Sequence, residues 1–205
     1  MIGVPIVHFP SDIIGGISLG IISGLSVIKG EKMDFYSREN KFINCLQTGT
    51  SILVLDCGIG RSAKYFKDKG HVVTAAEANQ ERCRIASDYT GLPVSNLRPE
   101  DIDYVNVFDG VWAADAFANI PYKDFSNIIK KISAALKCNG YMYISFRYGT
   151  CEEYAVDSSA AKLTEISFAA VLDNIPELTI VEEWKEYDNR PCSCDLWLNI
   201  ILKKD

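Results

Sequence analysis

One short run of the chain, SILVLDCGIGR at residues 51–61, constrains the fold more than any other. Its unbroken apolar residues 52–55 are typical of a buried strand. An acid and a turn containing Gly58 and Gly60 follow at once, and Ser62 can then begin a helix. A strand that passes through a glycine turn into a helix is how doubly wound nucleotide-binding folds begin. The turn alone does not identify its ligand.

Strands and helices alternate after this turn. Helices are predicted over 62–69, 79–89, 122–136 and 164–173, and strands over 71–77, 91–97, 108–116, 141–147, 178–187 and 194–204. The segment between the last two strands is too short for a helical crossover, so these strands are expected to pair as an antiparallel hairpin. The alternation predicts right-handed crossovers. The fold class is therefore α/β: a Rossmann-like doubly wound sheet of seven strands, mostly parallel, with an antiparallel C-terminal hairpin strand.

Composition narrows the classes of function. The 205 residues carry a formal net charge of −6 and contain no basic run. Such a chain does not attract a phosphate backbone, so no nucleic-acid partner is expected. Seven cysteines are scattered along the chain with only two histidines, and Cys192 and Cys194 are the one close pair. This pattern predicts no metal site and fits free thiols in a reducing cytoplasm.

The first 33 residues differ from the rest. The stretch 13–28 is rich in glycine and isoleucine and uncharged, but it is shorter than the roughly 18 residues needed to span a bilayer. Three of its glycines recur every fourth residue, a spacing that would give a helix a smooth packing stripe. We interpret residues 1–33 as a lid or packing element, with a homodimer contact as an alternative, and expect no stable membrane insertion. Residues 34–205 are expected to form a single domain.

Three later stretches sharpen the interpretation: FDGVWAADAFANIP at 108–121, ALKCNGYMYISFRYG at 135–149 and RPCSCDLWLNIILKK at 190–204. Together with the glycine turn and the acid that closes the second strand, they resemble the class I S-adenosylmethionine-dependent methyltransferases, and in particular their small tellurite-resistance-type branch. The resemblance extends from about residue 42 to residue 204. It implies S-adenosylmethionine as the cofactor and a small soluble molecule as the methyl acceptor.

The resemblance also implies where the cofactor binds. The glycine turn lets backbone approach the cofactor without Cβ atoms in the way, and Glu77 would accept hydrogen bonds from both ribose hydroxyls. The implied cofactor-binding residues are Asp56, Cys57, Gly58, Gly60, Glu77, Ala78, Asp101, Ile102 and Ala113. Asp115 and Asn119 are predicted to line the substrate pocket. No catalytic side chain is assigned, because methyl transfer from a sulfonium needs alignment more than acid or base.

Several positions depart from the family pattern of an acid followed by three glycines at alternate positions. Either Asp56 replaces the first glycine and Val54 stands in the acid's place, or the loop is shorter by two and Asp56 is the acid itself. The second account is favoured because it keeps a carboxylate at the end of the strand. Three further positions, where the family has an acid, a histidine and an arginine, are Arg98, Asn119 and Ser158.

These departures leave a second hypothesis open: a non-catalytic methyltransferase-fold protein with a remodelled cofactor site that serves in binding or as a scaffold. A dinucleotide-dependent oxidoreductase is a weaker third hypothesis. Its glycine fingerprint would be incomplete, because Ala63 occupies the last glycine position, and the terminal hairpin argues against it.

Overall fold

The structure, a computed structural model, describes residues 35–149, 162–188 and 193–205. The helices are α1 (Ser37–Ile43), α2 (Arg61–Asp68), α3 (Gln80–Thr90), α4 (Phe125–Ala135) and α5 (Glu165–Leu172), with short 3-10 helices at Pro99–Asp101 and Tyr122–Asp124. The strands are β1 (Ser51–Val54), β2 (Val72–Ala76), β3 (Val94–Ser95), β4 (Phe108–Ala113), β5 (Leu136–Tyr148), β6 (Lys162–Leu163), β7 (Leu178–Tyr187) and β8 (Leu196–Lys204). The predictions for residues 1–33 and for Ser158 lie outside the described residues.

The strands form one sheet in the order β3-β2-β1-β4-β5-β8-β7, with β6 beside the end of β5. Strand β8 runs antiparallel to both of its neighbours, β5 and β7. All other neighbouring strands are parallel: β3 with β2, β2 with β1, β1 with β4, β4 with β5, and β5 with β6. The predicted mostly parallel, doubly wound sheet with an antiparallel C-terminal strand is confirmed. The sequence predicted seven strands, and the eighth is the two-residue β6, which is too short to leave a periodic pattern.

Several element boundaries differ from the predicted ones. The strand predicted over 108–116 ends at Ala113, because Asp115 adopts a left-handed conformation with φ 57°. The helix predicted over 122–136 begins as a 3-10 turn and is α-helical only over Phe125–Ala135. The strand predicted over 91–97 shrinks to Val94–Ser95. The strand predicted over 141–147 begins earlier, so that β5 spans Leu136–Tyr148.

Two apolar layers cover the sheet, one on each face, because successive strand residues point to opposite sides. One layer centres on Trp112 of β4, which stacks on Tyr143 of β5 with ring centroids 3.9 Å apart and contacts Phe66 of α2 at 5.2 Å. Helix α1, which the sequence analysis did not predict, adds Phe42 to this layer. The other layer includes Phe125 of α4. Packing on both faces fixes the carboxyl ends of the central strands, where the candidate site lies.

Within the described part of the chain, no helix combines the length and the apolar character needed to cross a membrane.

Candidate cofactor site

The turn after β1 is held against the end of β2. The backbone N–H of Cys57 donates to the carbonyl of Ala76 over 3.0 Å, and the N–H of Gly60 closes the turn on the carbonyl of Cys57 over 2.9 Å. Gly58 and Gly60 have φ values of 58° and 89°, in the left-handed region that glycine adopts without a steric penalty. The predicted turn residues therefore form a tight bend at the carboxyl edge of the sheet.

Asp56 stands directly after the end of the first strand. The N–H of Leu55 still bonds to the carbonyl of Trp112 in β4, over 2.9 Å, whereas Asp56 leaves the strand with φ 48°. Val54 is a buried residue within β1. This arrangement favours the second account of the loop, in which Asp56 is the acid at the strand end.

Glu77 follows β2 and points at the glycine turn. Its side chain is buried, with only 1% of the residue exposed. One carboxylate oxygen accepts the N–H of Gly58 over 2.8 Å, and the other accepts the N–H of Asn79 over 2.9 Å. Each carboxylate oxygen can accept two hydrogen bonds. Glu77 therefore anchors the turn, and its carboxylate keeps acceptor capacity beyond these two bonds.

Asp56 and Glu77 form a carboxyl pair. Burial, the charge of Glu77 and a side-chain hydrogen bond between the two raise the pKa of Asp56 to about 7, helped by Asp115 and opposed by Arg82. Two adjacent carboxylates with little access to water repel each other, so one of them retains a proton. Asp56 is therefore about half protonated near pH 7. Burial, with Glu77 as the next cause, raises the pKa of Cys57 to about 12, so its thiol is neutral rather than a nucleophile.

This pair predicts a pH dependence of stability. A carboxyl group whose pKa is higher in the folded than in the unfolded chain binds more protons when folded, so stability falls as pH rises between the two values. For Asp56 this window runs from about pH 4 to about pH 7. We expect Asp56→Asn to flatten the decline in the free energy of unfolding across that window, measured by urea denaturation at several pH values. An equal decline in the variant and the parent protein would contradict the pairing.

The remaining predicted residues are distributed along the same edge of the sheet. Ala78 is exposed beside Glu77, and Ala113 is the buried last residue of β4. Asp115 follows β4, and its charge acts on Asp56. Asp101 lies exposed in the 3-10 helix after β3, with Ile102 buried behind it, and Asn119 is exposed. Among the described residues, no hydrogen bond or ion pair joins Asp101, Ile102 or Asn119 to the glycine turn.

Sequence reasoning missed several residues that shape the site. The side-chain amide of Asn96 donates to the carbonyls of Glu77 and Ala78, over 3.0 and 2.8 Å, and ties β2 to the loop after β3. Buried Glu39 of α1 accepts the hydroxyl of Ser62 over 2.8 Å and joins α1 to the start of α2. A polar residue directly after the third strand was the available signal for Asn96, whereas Glu39 lies in a helix that was not predicted.

The departure at Arg98 has a local explanation. Its side chain is exposed and forms an ion pair with Glu100 over 3.7 Å, so it lies at the surface beside the 3-10 helix. In the three described ranges, no group of three or more His, Cys, Asp or Glu side chains is arranged to hold a metal ion.

Comparisons with known proteins agree with this geometry. A family profile described as "Methyltransferase domain" matches residues 53–144, somewhat under half of the chain and including the glycine turn, Glu77 and β4. No curated protein sequence matches the chain.

Solved structures match over a larger part of the chain. A SAM-dependent methyltransferase from Methanosarcina mazei is 19% identical, with a TM-score of 0.68, covering 78% of this chain and 95% of that one. The 1,6-didemethyltoxoflavin-N1-methyltransferase of Burkholderia thailandensis, with bound 1,6-didemethyltoxoflavin and S-adenosylhomocysteine, is 19% identical with a TM-score of 0.68, covering 82% and 76%. The 4+2 cyclase SpnF is 13% identical with a TM-score of 0.67, covering 81% and 79%.

These likenesses define the class of fold. The chain has the α/β fold of the class I S-adenosylmethionine-dependent methyltransferases, with a methyltransferase-domain match over its central part. The matched stretch includes all of the residues that were predicted to bind the cofactor. The tellurite-resistance-type branch stays a prediction.

Proposed function

We propose that this protein is an S-adenosylmethionine-dependent methyltransferase that methylates a small soluble molecule. The observation that carries the proposal is the position of Glu77. Its carboxylate is buried at the end of β2 and fixed by the N–H groups of Gly58 and Asn79. An immobilised carboxylate beside a glycine turn at a parallel sheet's carboxyl edge suits a ribose with two neighbouring hydroxyls.

The residues of the turn suit a cofactor without phosphates. Gly58 leaves room for close backbone approach, because a Cβ there would meet no atom within 4 Å, whereas Gly60 lies against Thr90 of α3. The exposed Ile59 between the two glycines offers an apolar surface at the mouth of the turn. S-Adenosylmethionine supplies a methyl group on a sulfonium, which leaves without general acid assistance. The protein's contribution in this proposal is to align the acceptor with that methyl group.

The carboxyl ends of β4 and β5 are the proposed place of the acceptor. Asp115 is exposed there, and its backbone N–H is held by the hydroxyl of Ser145, over 3.0 Å. Asn119 is exposed a few residues further along the same loop. Polar groups on a short loop suit a small molecule, and the chain's net charge of −6 disfavours a polyanionic substrate. A cytoplasmic location is part of the proposal, and it rests on the scattered cysteines.

A second candidate is a non-catalytic binding or scaffold protein. It is favoured by the hydrogen bonds that Glu77 already makes within the protein. Both of its carboxylate oxygens accept backbone N–H groups, and Asp56 bonds to the same carboxylate. The cyclase SpnF is an example of this fold in a protein named for another reaction. Fold alone therefore does not choose between the two.

Calorimetric titration distinguishes the two candidates. We expect saturable binding of both S-adenosylmethionine and S-adenosylhomocysteine, with a rise in Tm that increases with ligand concentration, because a ligand that binds only the folded state stabilises it by mass action. NAD⁺ serves as the control for the dinucleotide hypothesis and should give no heat. Neither heat nor a change in Tm at millimolar S-adenosylmethionine would contradict the methyltransferase proposal and favour the scaffold.

A further inference from the structure

We propose that Arg147, at the carboxyl end of β5, binds an oxyanion of the methyl acceptor, a carboxylate or a phosphate group. The assignment of this anion to the acceptor rests on the proposed function, whereas the binding of an anion by Arg147 does not. The resemblance implies an arginine at a position where this chain has Ser158, and Arg147 was not among the predicted site residues.

The first observation is an unsatisfied donor. The Nε atom of Arg147 is buried, and its N–H has no hydrogen-bond acceptor among the residues that the structure describes. A buried donor without a partner destabilises the fold, which is why such groups are uncommon in folded proteins. The side chain as a whole keeps 41% of its exposure, so a ligand can approach the guanidinium from solvent.

The neighbours of Arg147 hold the guanidinium without filling its donor edge. Its Nη2 atom lies 3.7 Å from a carboxylate oxygen of Asp195, which is close enough for an ion pair and too long for a hydrogen bond. The guanidinium carbon lies over the indole of Trp197, 5.9 Å from the ring centroid. An arginine placed over an aromatic face keeps its in-plane N–H donors available. The guanidinium is thus held in place, while its Nε–H still lacks a hydrogen-bond acceptor among the described residues.

The position of Arg147 places it beside the proposed cofactor site. Strand β5 is the second neighbour of β1 across β4, about 10 Å away at ordinary strand spacing. Arg147 lies three residues beyond Ile144, which pairs with Ala113 at the end of β4. Ser145, two residues before Arg147 and on the same face of β5, bonds to the backbone of Asp115 over 3.0 Å. Asp115 in turn acts electrostatically on Asp56. A small acceptor anchored at Arg147 can therefore extend toward the end of β4.

An oxyanion is the ligand class that this geometry suits. The Nε–H and one Nη–H of arginine form a planar fork that matches two oxygens of a carboxylate or phosphate group. Lys162, which is paired with Arg147 in the β-ladder, adds a second positive residue at this end of the strand. The nearby Asp195 partly offsets this charge and would compete with the incoming anion.

The test uses the full chain labelled with ¹⁵N-arginine and follows the Nε–H resonances by NMR. The probes are sodium benzoate and sodium phosphate, with sodium chloride as the ionic-strength control. We expect a saturable shift of the Arg147 resonance, larger with benzoate for a carboxylate acceptor and larger with phosphate for a phosphorylated one. Arg84 is the matched control, because its side chain is 73% exposed and lies on α3. Equal, non-saturating shifts at Arg84 and Arg147 would overturn the proposal.

Two variants separate anion recognition from folding. Arg147→Lys keeps the positive charge beside Asp195 but loses the Nε–H, and we expect probe affinity, measured by calorimetry, to fall at least fivefold. Asp195→Asn removes the competing carboxylate and should raise probe affinity. Unchanged affinity in Arg147→Lys would contradict anion binding at this residue.

The same variant tests the link to the proposed function. We expect Arg147→Lys to bind S-adenosylmethionine with an affinity within twofold of that of the parent protein. The proposed anion site lies on β5, whereas the proposed cofactor site lies at the ends of β1 and β2. A tenfold loss would place Arg147 in the cofactor site and overturn its assignment to the acceptor. If the parent protein binds benzoate at Arg147 and does not bind S-adenosylmethionine, the methyltransferase proposal fails and the anion site remains.

Discussion

Replacing Glu77 with alanine is expected to weaken S-adenosylmethionine binding at least a hundredfold. In the proposed binding mode the variant loses the acceptor for two ribose hydroxyls, and hydrogen bonds to a charged group contribute about 1.5–3 kcal/mol each. Since about 1.4 kcal/mol changes affinity tenfold, two such bonds account for a hundredfold loss or more. The variant also leaves the N–H groups of Gly58 and Asn79 without their acceptor, so the turn loses its anchor. Calorimetric titration of the folded variant measures the loss.

Two further variants show which part of the effect belongs to the ribose. Glu77→Gln keeps one side-chain oxygen as an acceptor but turns an N–H₂ group toward a backbone donor, so we expect intermediate affinity. Glu81→Ala removes an exposed acid from the first turn of α3, where its partner is the exposed Arg84, and should leave affinity unchanged. If Glu77→Ala melts cooperatively and binds the cofactor as tightly as the parent protein, the ribose assignment is wrong.

Much of the fold could be predicted because its signals are local. The apolar residues of β1 and the glycine turn are contiguous in sequence, and the helix predicted from residue 79 is α3, which Asn79 caps by accepting the N–H of Arg82 over 3.0 Å. The end of β4 was misplaced because nothing in the apolar run before Asp115 shows that this residue takes a left-handed conformation. Helix α1 was missed because its buried residues, Phe42 and Glu39, find their partners only in the folded sheet.

The positions of the two acids of the candidate site could be predicted from the sequence, but the interaction between them could not. The sequence places Asp56 and Glu77 at the ends of neighbouring strands, and the structure puts both there. The hydrogen bond between them depends on the left-handed turn at Asp56, which has no pattern that can be recognised along the chain. Arg147 illustrates the same limit, because its lack of an acceptor is defined by surrounding residues from distant parts of the chain, such as Trp197 and Asp195.

Replacing Gly60 with alanine is expected to lower the free energy of unfolding by about 2–5 kcal/mol. Gly60 has φ 89°, and forcing a residue with a Cβ into the left-handed region costs about 1–2 kcal/mol. The added Cβ would also lie 2.6 Å from the Cγ2 methyl of Thr90 in α3, closer than any real contact. Relieving such overpacking displaces α2 or α3 and costs about 1–3 kcal/mol. Urea denaturation of the variant measures the combined effect.

A second substitution separates the two causes. Thr90→Ser removes the clashing methyl and keeps the hydroxyl that donates to the carbonyl of Ala86 over 2.7 Å. In the Gly60→Ala/Thr90→Ser double variant we expect the clash to be relieved and only the backbone strain to remain. Gly91→Ala is the matched control, because Gly91 has φ 64° and its added Cβ would meet only the flexible end of Lys67, at 3.4 Å. Purely additive effects of Gly60→Ala and Thr90→Ser would contradict this close contact between the glycine turn and α3.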